Sequence, residues 1–151
     1  MSTNDYRGTN YNRGIRNNNP GNLRPTSTTW QGQTAVVDNF MVFQNMTYGC
    51  RALGTDLSNK YFRGLDTVTK IINVYAPPME NNTIAYINAV AKSIGVGVND
   101  KLTWNKATLA KFMRAVIMHE NGDQGALVTD SQILDGIAAM SPNLLLKVQG
   151  F

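Results

Sequence analysis

The amino-acid sequence predicts a mainly α-helical domain (α+β) with a small β lobe near its N-terminus. After Thr47, apolar residues recur every three or four positions in successive segments, which is the spacing of amphipathic helices. Between Trp30 and Phe43, apolar runs rich in β-branched and aromatic residues flank Asp38-Asn39, which predicts two short strands joined by a turn. A chain of 151 residues fits one domain and can bury about two-thirds of its unfolded surface.

The part of the chain before the helices divides into an arm, a loop and the β lobe. Residues 1–12 are polar and without periodicity, which predicts a flexible N-terminal arm ahead of a single domain over residues 13–151. Residues 13–24 are dense in Asn, Gly and Pro, and they predict a structured loop. The two strands are expected at 35–37 and 40–43.

Helical periodicity then continues to the C-terminus. In the first helix, Leu53, Leu57 and Tyr61 step by four along one face. Asp66 is the expected N-cap of the second helix, which Pro77 ends. Six helices are predicted in all. The first begins near residue 47, the second covers 67–75, the third extends from Asn82 to Gly95, the fourth covers 106–120, and the last two lie near 130–140 and 143–149. In the third helix, the residues expected to face inward are Ile84, Ile87, Ala91 and Ile94.

Composition and motif content exclude several functional classes. The net charge is +4, but the basic residues are scattered, so the charge favours only weakly an anionic surface such as a cell wall, lipopolysaccharide or nucleic acid. We predict no nucleic-acid partner. Cys50 is the single cysteine and His119 the single histidine, so neither an intramolecular disulfide nor a His/Cys metal site can form. No phosphate-binding glycine loop occurs, and we predict no metal and no cofactor. No apolar run is long enough for a membrane span, and no signal peptide is recognisable.

Glu120 is the strongest candidate for chemistry in the chain. It ends the fourth helix and continues the apolar stripe of Leu109, Met113, Val116 and Ile117. Burial against the core and the negative end of the helix both disfavour a charged carboxylate. A carboxyl group that stays protonated near neutral pH suits the general acid of glycoside cleavage. The alternative is a helix-end Glu turned to solvent, but the chain has only two glutamates, so Glu is not its generic surface charge.

Two further segments are candidates for the same site. Glu80 precedes the third helix, where it either complements the positive end of that helix or lines a site as a second acid. The run from Asn17 to Asn19, before Pro20-Gly21, supplies many amide donors and acceptors. Its side chains either bond their own backbone, as in a structural turn, or form a sugar-binding rim at the mouth of a cleft.

Cys50 and His119 define a separate hypothesis, because cysteine amidases of cell walls use such a pair in this order along the chain. Cys50 lies near a predicted helix N-terminus, where the pKa of a thiol is lowered. Against this interpretation, His119 lies inside a helix, whereas the histidine of those enzymes lies on a strand. A lone helical cysteine is also commonly a small core residue.

Several motifs together resemble a family of phage virion structural proteins associated with peptidoglycan degradation. The resemblance covers nearly the whole chain after residue 13. Its motifs are Arg16-Asn-Asn-Asn-Pro-Gly-Asn-Leu-Arg24, Trp30-Gln-Gly32, Phe40-Met-Val-Phe43, Tyr48-Gly-Cys-Arg-Ala-Leu53, Ala76-Pro-Pro-Met-Glu-Asn-Asn-Thr83 and His119-Glu-Asn-Gly122.

The chain is also similar to bacterial glucosaminidase autolysins and lytic transglycosylases, with the segments in a different order. Asn18 to Arg24 resembles their Asn-Asn-x-x-Gly-Ile-Lys loop, Phe40 to Phe43 their aromatic segment, and Tyr75-Ala-Pro-Pro their tyrosine loop. Their Glu-bearing helix comes first, whereas here it comes last, which implies a circularly permuted lysozyme-like domain. His119-Glu-Asn replaces a Glu-Ser context and Pro77-Pro-Met-Glu80 replaces Thr-Asp-Pro, so the second catalytic group is left open.

These resemblances imply a phage-borne enzyme that cleaves the β-1,4 backbone of peptidoglycan as a muramidase, glucosaminidase or lytic transglycosylase. Glu120 is the expected acid, and Glu80 is the second carboxylate if the enzyme is a hydrolase. The residues expected to bind the glycan are Asn18, Asn19, Asn22, Arg24, Tyr75, Asn82 and Asn121. The expected partners are peptidoglycan strands and other virion proteins, in the virion or in the host cell at its wall. The alternative is a non-enzymatic virion protein, structural, assembly-related or glycan-binding, that retains the fold.

Overall fold

The computed structural model describes residues 3–79 and 81–148. This part of the chain folds into seven α-helices, one 3-10 helix and a two-stranded antiparallel sheet, which confirms the mainly α (α+β) fold class. In chain order the elements are α1 Arg13–Arg16, β1 Gln33–Val37, β2 Phe40–Phe43, α2 Met46–Phe62, α3 Val68–Tyr75, α4 Thr83–Ile94, α5 Lys106–Asn121, the 3-10 helix Gly122–Leu127, α6 Asp130–Ala138 and α7 Pro142–Lys147.

Asn and Thr side chains begin five of the helices. Each side-chain oxygen accepts a hydrogen bond from a backbone N–H of the first turn, which leaves fewer unsatisfied donors there. The caps of α2, α3, α4, α5 and α6 are Asn45, Thr67, Asn82, Asn105 and Thr129. The N-cap of α3 is therefore Thr67 and not the predicted Asp66, because the Thr67 hydroxyl reaches the N–H of Lys70.

The β lobe is a hairpin whose turn is Asp38-Asn39, as predicted. Both residues have positive φ, 52° and 65°, which gives the turn the twist that a two-residue hairpin loop requires. The strands pair with Val37 opposite Phe40. All residues of β2 are buried, whereas most of β1 is exposed, so β2 attaches the hairpin to the helices.

Helix α5 lies at the centre of the main hydrophobic core, where it contacts α2, α4 and α6. Its buried apolar residues are Leu109, Phe112, Met113, Ala115, Val116 and Ile117. A second, smaller cluster of Leu23, Met41, Phe43 and Ala52 joins the β lobe to α2. The Glu120 end of α5 is consequently positioned by packing on several sides.

The buried face of α4 differs from the predicted one. Ile84 was expected inside but is 75% exposed, whereas Tyr86 is 1% exposed. The hydroxyl of Thr83 donates a hydrogen bond to the carbonyl of Ala76, which fixes the first turn of α4 against the end of α3. This anchor turns Ile84 outward and directs Tyr86 towards α5.

The N-terminal segment is in contact with the domain over the residues that the structure describes. Tyr6 is buried, its N–H donates to Asn18 Oδ1, and its hydroxyl donates to the carbonyl of Leu127 at 2.9 Å. The carbonyl of Asn4 accepts from the N–H of Met46 at the start of α2. These contacts were not foreseen for the predicted arm over residues 1–12, whose flexibility in solution stays a prediction.

Candidate functional site

An open cleft lies where the loop before the β lobe meets α2, the end of α3 and the C-terminal end of α5. Its volume is about 420 Å³, which suits a small ligand or one or two sugar units of a longer chain. It is called the Glu120 cleft below. Its lining residues are Arg13, Gly21, Asn22, Leu23, Arg24, Phe40, Asp56, Lys60, Val74, Tyr75, Ala76, Pro77, Asn81 and Glu120.

Glu120 is held at both carboxyl oxygens. Oε1 accepts a hydrogen bond from Asn22 Nδ2 at 2.9 Å, and Oε2 accepts one from the Tyr86 hydroxyl at 2.8 Å. The side chain is partly exposed and forms no ion pair with any residue in the described part of the chain. Contacts from the loop and from α4 therefore fix the orientation of the carboxyl group in the cleft.

The two partners of Glu120 differ in what they allow chemically. The Asn22 nitrogen only donates, so Oε1 is an acceptor in every protonation state. The Tyr86 hydroxyl both donates and accepts, so Oε2 can be ionised and accept from it, or carry a proton and donate to it. The arrangement thus suits a carboxyl group that gains and loses a proton without moving, as a general acid and base must.

Tyr75 lines the cleft from the last residue of α3. Its hydroxyl donates a hydrogen bond to the carbonyl of Gly21, next to Asn22 in the loop. Burial, followed by the nearby Tyr86, Glu120 and Asp56, raises the pKa of Tyr75 well above its ordinary value. The phenol therefore stays neutral and acts as a fixed donor that holds the loop in place.

Two of the predicted sugar-binding residues are buried and do not line the cleft. Asn18 and Asn19 have no exposed surface. Asn18 Nδ2 donates to the carbonyl of Phe43, and Asn19 Nδ2 donates to the carbonyls of Leu23 and Met41, all at 2.9 Å. Because their amides bond to the loop and to β2, they fix the fold of the loop and cannot reach a ligand.

Asn121 and Asn82, which were also predicted to bind the glycan, lie outside the cleft lining. Asn121 is buried, and its Nδ2 donates to the carbonyls of Pro20 and Ile117. The side chain of Asn82 is occupied as the N-cap of α4. Asn22, Arg24, Tyr75 and Glu120 are the predicted site residues that do converge on the cleft, while Glu80 lies outside the described residues.

Several cleft residues were not predicted. Asp56 and Lys60 form an ion pair at 2.8 Å with both side chains largely buried, and Tyr86 supports Glu120 from below the surface. Asp56 and Lys60 are four residues apart, and in a helical sequence this spacing usually indicates an ion pair on the surface. Only the adjacent stripe of Leu53 and Leu57 could have indicated that this pair borders the core.

One wall of the cleft carries two guanidinium groups on a single aromatic ring. The guanidinium carbon of Arg13 lies 3.8 Å from the centre of the Phe40 ring, and that of Arg24 lies 4.4 Å from it. Phe40 itself is buried at the start of β2. Each Arg–Phe contact is a cation–π interaction, which orients the two cations in the cleft.

The structure contradicts the hypothesis of a Cys50/His119 amidase. Cys50 is fully buried where α2 packs on Gly136 of α6, and burial raises the pKa of its thiol to about 12. His119 is exposed on α5, and its ring packs against that of Tyr86 at a tilt of 31°, with ring centres 3.8 Å apart. The thiol is thus neither ionisable near neutral pH nor accessible to a substrate.

The described residues contain neither a cluster of metal ligands nor a membrane-spanning helix. Over residues 3–79 and 81–148, no three His, Cys, Asp or Glu side chains are grouped closely enough to hold a metal ion. Within the same residues, no helix has both the length and the apolar character that crossing a membrane requires.

Comparison with known proteins places the chain in a phage protein family. No family model matches the sequence. It is 38% identical over 117 residues to Protein P5 of Pseudoalteromonas phage PM2, an alignment that covers 73% of this chain and 71% of that protein. The chain belongs to the family of phage PM2 Protein P5. This membership confirms the predicted relation to a phage protein, and the name Protein P5 states no activity.

Proposed function

We propose that this phage protein binds and cleaves the β-1,4 glycan backbone of peptidoglycan in the Glu120 cleft, as a component of the virion that acts on the host wall. One observation carries the proposal. Glu120 lies in an open cleft with both oxygens held, by Asn22 and by Tyr86, and without a salt bridge to any described residue. A carboxyl group kept only for stability would be expected in an ion pair or beneath packed side chains.

The proposed chemistry begins with proton transfer from Glu120 to the glycosidic oxygen of the leaving sugar. Asn22 and Tyr86 keep the carboxyl group in one orientation, and Tyr75 holds the Asn22 loop through Gly21. In a transglycosylation, a hydroxyl of the substrate attacks the anomeric carbon, and Glu120 takes up its proton. No second carboxylate is then needed.

A hydrolase would require a second carboxylate in the same cleft. Asp56 is the one that the described lining residues supply besides Glu120, and Lys60 donates to both of its oxygens. Asp56 therefore joins Glu80 as a candidate base or nucleophile. The two hydrogen bonds that it accepts from Lys60 hold its carboxylate in one orientation, which either role requires.

The proposal is tested with the unmodified protein on purified peptidoglycan, with mass analysis of soluble products. Fragments ending in an anhydro sugar indicate transglycosylation, whereas reducing ends that contain added water indicate hydrolysis. Asp56→Asn and Glu80→Gln then separate the two carboxylates. A transglycosylase keeps most of its activity in both variants, and a hydrolase loses it in one of them. Absence of glycan products from the folded protein contradicts the proposed activity.

A second candidate is a non-enzymatic phage component that binds glycan or takes part in virion assembly. Family membership with a phage protein favours it, as does the position of Glu120 at the junction of the loop, α4 and α5. In this role, the two hydrogen bonds to Glu120 would serve only to join these elements. Co-sedimentation with peptidoglycan without release of fragments would support this candidate over the enzyme.

A further inference from the structure

A second cavity lies between α2 and the loop that precedes β1, and the proposed chemistry leaves it unused. Its volume is about 480 Å³, and the described residues that line it include none from the lining of the Glu120 cleft. The loop contributes residues 26–31, and α2 contributes Arg51, Thr55 and Asn59. These three residues are spaced by four, so they lie on one face of the helix. This cavity is called the Trp30 pocket.

The two cavities are neighbours on α2. Asp56 and Lys60 of the Glu120 cleft directly follow Thr55 and Asn59 of the Trp30 pocket. Successive residues of an α-helix are about 100° apart around its axis, so the two pairs form adjacent stripes on the helix. The Trp30 pocket can therefore hold a ligand of its own beside the Glu120 cleft.

Trp30 belongs to the motif Trp30-Gln-Gly32, and its own loop holds its indole in place. Nε1 donates a hydrogen bond to the Thr26 hydroxyl at 2.9 Å, and that hydroxyl donates to the carbonyl of Thr28. Part of the ring packs against the cluster that joins the β lobe to α2, and part lines the pocket. Because the single polar group of the indole is engaged, the ring offers a ligand only its apolar surface.

The rest of the pocket is polar and carries little charge. Apart from Trp30 and Arg51, every described lining residue has a hydroxyl or a side-chain amide, and none is acidic. Ser27 and Gln31 are exposed on the loop, and Asn59 is exposed on α2. Hydroxyls and side-chain amides both donate and accept hydrogen bonds. The pocket thus combines one fixed apolar ring with neutral groups of both hydrogen-bonding types.

These features match a neutral saccharide better than an apolar or a polyanionic ligand. A pyranose has a face of C–H groups, which packs on an aromatic ring, and an edge of hydroxyls, which exchange hydrogen bonds with hydroxyls and amides. An apolar ligand would remove water from the polar rim without replacing its hydrogen bonds. A polyanion would meet one cation, Arg51, whose Nε already donates to the carbonyl of Ala139. The volume accommodates about one or two sugar units.

We propose that the Trp30 pocket is a saccharide-binding site that holds a neutral pyranose unit by stacking on Trp30. Gln31 and Asn59 bind the hydroxyls at the edge of the sugar, and no bond is cleaved there. The site goes beyond the proposed function, because it serves an enzyme and a non-enzymatic phage component alike. A second weak site on the same glycan chain would raise the overall affinity in either case.

The test is an NMR titration that follows the indole N–H signals of the two tryptophans. Trp104 is the internal control, because it is 3% exposed and its Nε1 donates to the Ser58 hydroxyl. The probes are cellotriose and N,N′,N″-triacetylchitotriose, two neutral β-1,4-linked trisaccharides, and a hexathymidine oligonucleotide as a rival ligand that stacks on aromatic rings. The trisaccharides should shift the Trp30 signal with a dissociation constant of about 1 mM and leave the Trp104 signal unchanged.

Variants separate stacking from hydrogen bonding. Trp30→Ala should weaken trisaccharide binding about tenfold, and Trp30→Phe, which keeps a ring, should retain part of the affinity. Gln31→Ala changes an exposed side chain and should weaken binding about threefold. Val36→Ala is the control, because it changes a half-exposed residue of β1 outside the pocket, and it should bind as the wild type does. Backbone amide signals of residues 26–31 report the affinities, and melting curves verify that each variant is folded.

Any of three results would refute the saccharide site. They are an unchanged Trp30 signal with both trisaccharides at up to about 20 mM, unchanged affinity in Gln31→Ala and in a folded Trp30→Ala protein, and a response to the oligonucleotide without one to the sugars. The outcome is separable from that of the proposed function. Glycan cleavage with an unchanged Trp30 signal keeps the enzyme and removes this site, whereas a Trp30 response without cleavage keeps the site and removes the enzyme.

Discussion

The packing of the loop over residues 13–24 against α2 can be tested by adding one methyl group to the helix, at Gly49. Gly49 lies in the first turns of α2, and a Cβ added there would overlap the carbonyl oxygen of Asn18. It would also lie 2.8 Å from the carbonyl carbon of Asn18 and 2.9 Å from Pro20 Cδ. Backbone atoms cannot move aside as a flexible side chain can, so Gly49→Ala forces the loop away from the helix.

The expected loss of stability follows from two opposing effects. Overpacking a closely packed region lowers the free energy of unfolding by about 1–3 kcal/mol. Because the added Cβ meets backbone atoms, we expect Gly49→Ala to cost about 3 kcal/mol. Ala in a helix gains up to about 1 kcal/mol over Gly. The net loss is about 2 kcal/mol, which lowers the melting temperature of a domain of this size by about 4–8 °C.

Gly54→Ala is the matched control in the same helix. Its added Cβ would lie 3.2 Å from Met140 Sδ and 3.3 Å from Met113 Sδ, and methionine side chains can shift by a few tenths of an ångström. We expect its melting temperature to equal or exceed that of the wild type. Thermal unfolding followed by circular dichroism measures both variants. A Gly49→Ala protein as stable as Gly54→Ala would refute the docking of the loop.

Three further predictions concern single side chains. A thiol reagent at pH 8 should leave Cys50 unmodified until denaturant is added, because burial raises the pKa of the thiol to about 12 and blocks access; rapid labelling of the folded protein would contradict this. Tyr86→Phe should lower kcat on peptidoglycan about tenfold with KM little changed, since the Glu120 carboxyl loses one fixed partner; an unchanged kcat would show that Tyr86 does not orient the acid. Asn19→Ala should lower the free energy of unfolding by about 2 kcal/mol, because it removes buried hydrogen bonds to Leu23 and Met41. The control Asn99→Ala changes an exposed residue, and its free energy of unfolding should stay within about 0.5 kcal/mol of the wild type. Urea unfolding measures both variants.

The helices and the hairpin could be predicted because their signals are local. The spacing of apolar residues predicted helices α2 to α6, and Asp38-Asn39 predicted a turn, in which both residues have positive φ. The predicted N-cap of α3 and the predicted buried face of α4 were wrong, because each depends on which of several neighbouring groups a side chain contacts. Thr67 caps α3 in place of Asp66, and Thr83 turns Ile84 outward.

The site could be predicted only in outline, because the role of each Asn depends on contacts distant in sequence. Asn18, Asn19 and Asn22 are chemically identical, and nothing in their order separates structural amides from the one that meets Glu120. Asn22 reaches Glu120 across 98 positions of the sequence. Tyr6 was likewise a single aromatic residue in a polar stretch, and its burial depends on the distant carbonyl of Leu127.

Glu120→Gln on purified peptidoglycan tests whether Glu120 is the acid that cleaves the glycan. Gln keeps an oxygen that accepts from Asn22 and gains a nitrogen that donates to the Tyr86 hydroxyl, so the fold and its melting temperature should be retained. It has no carboxyl proton to transfer, and general acid catalysis contributes about 10²–10⁴-fold to such reactions. The release of soluble glycan fragments is expected to fall by at least about a hundredfold in the folded variant. Release at the wild-type rate by a folded Glu120→Gln protein would contradict this role of Glu120.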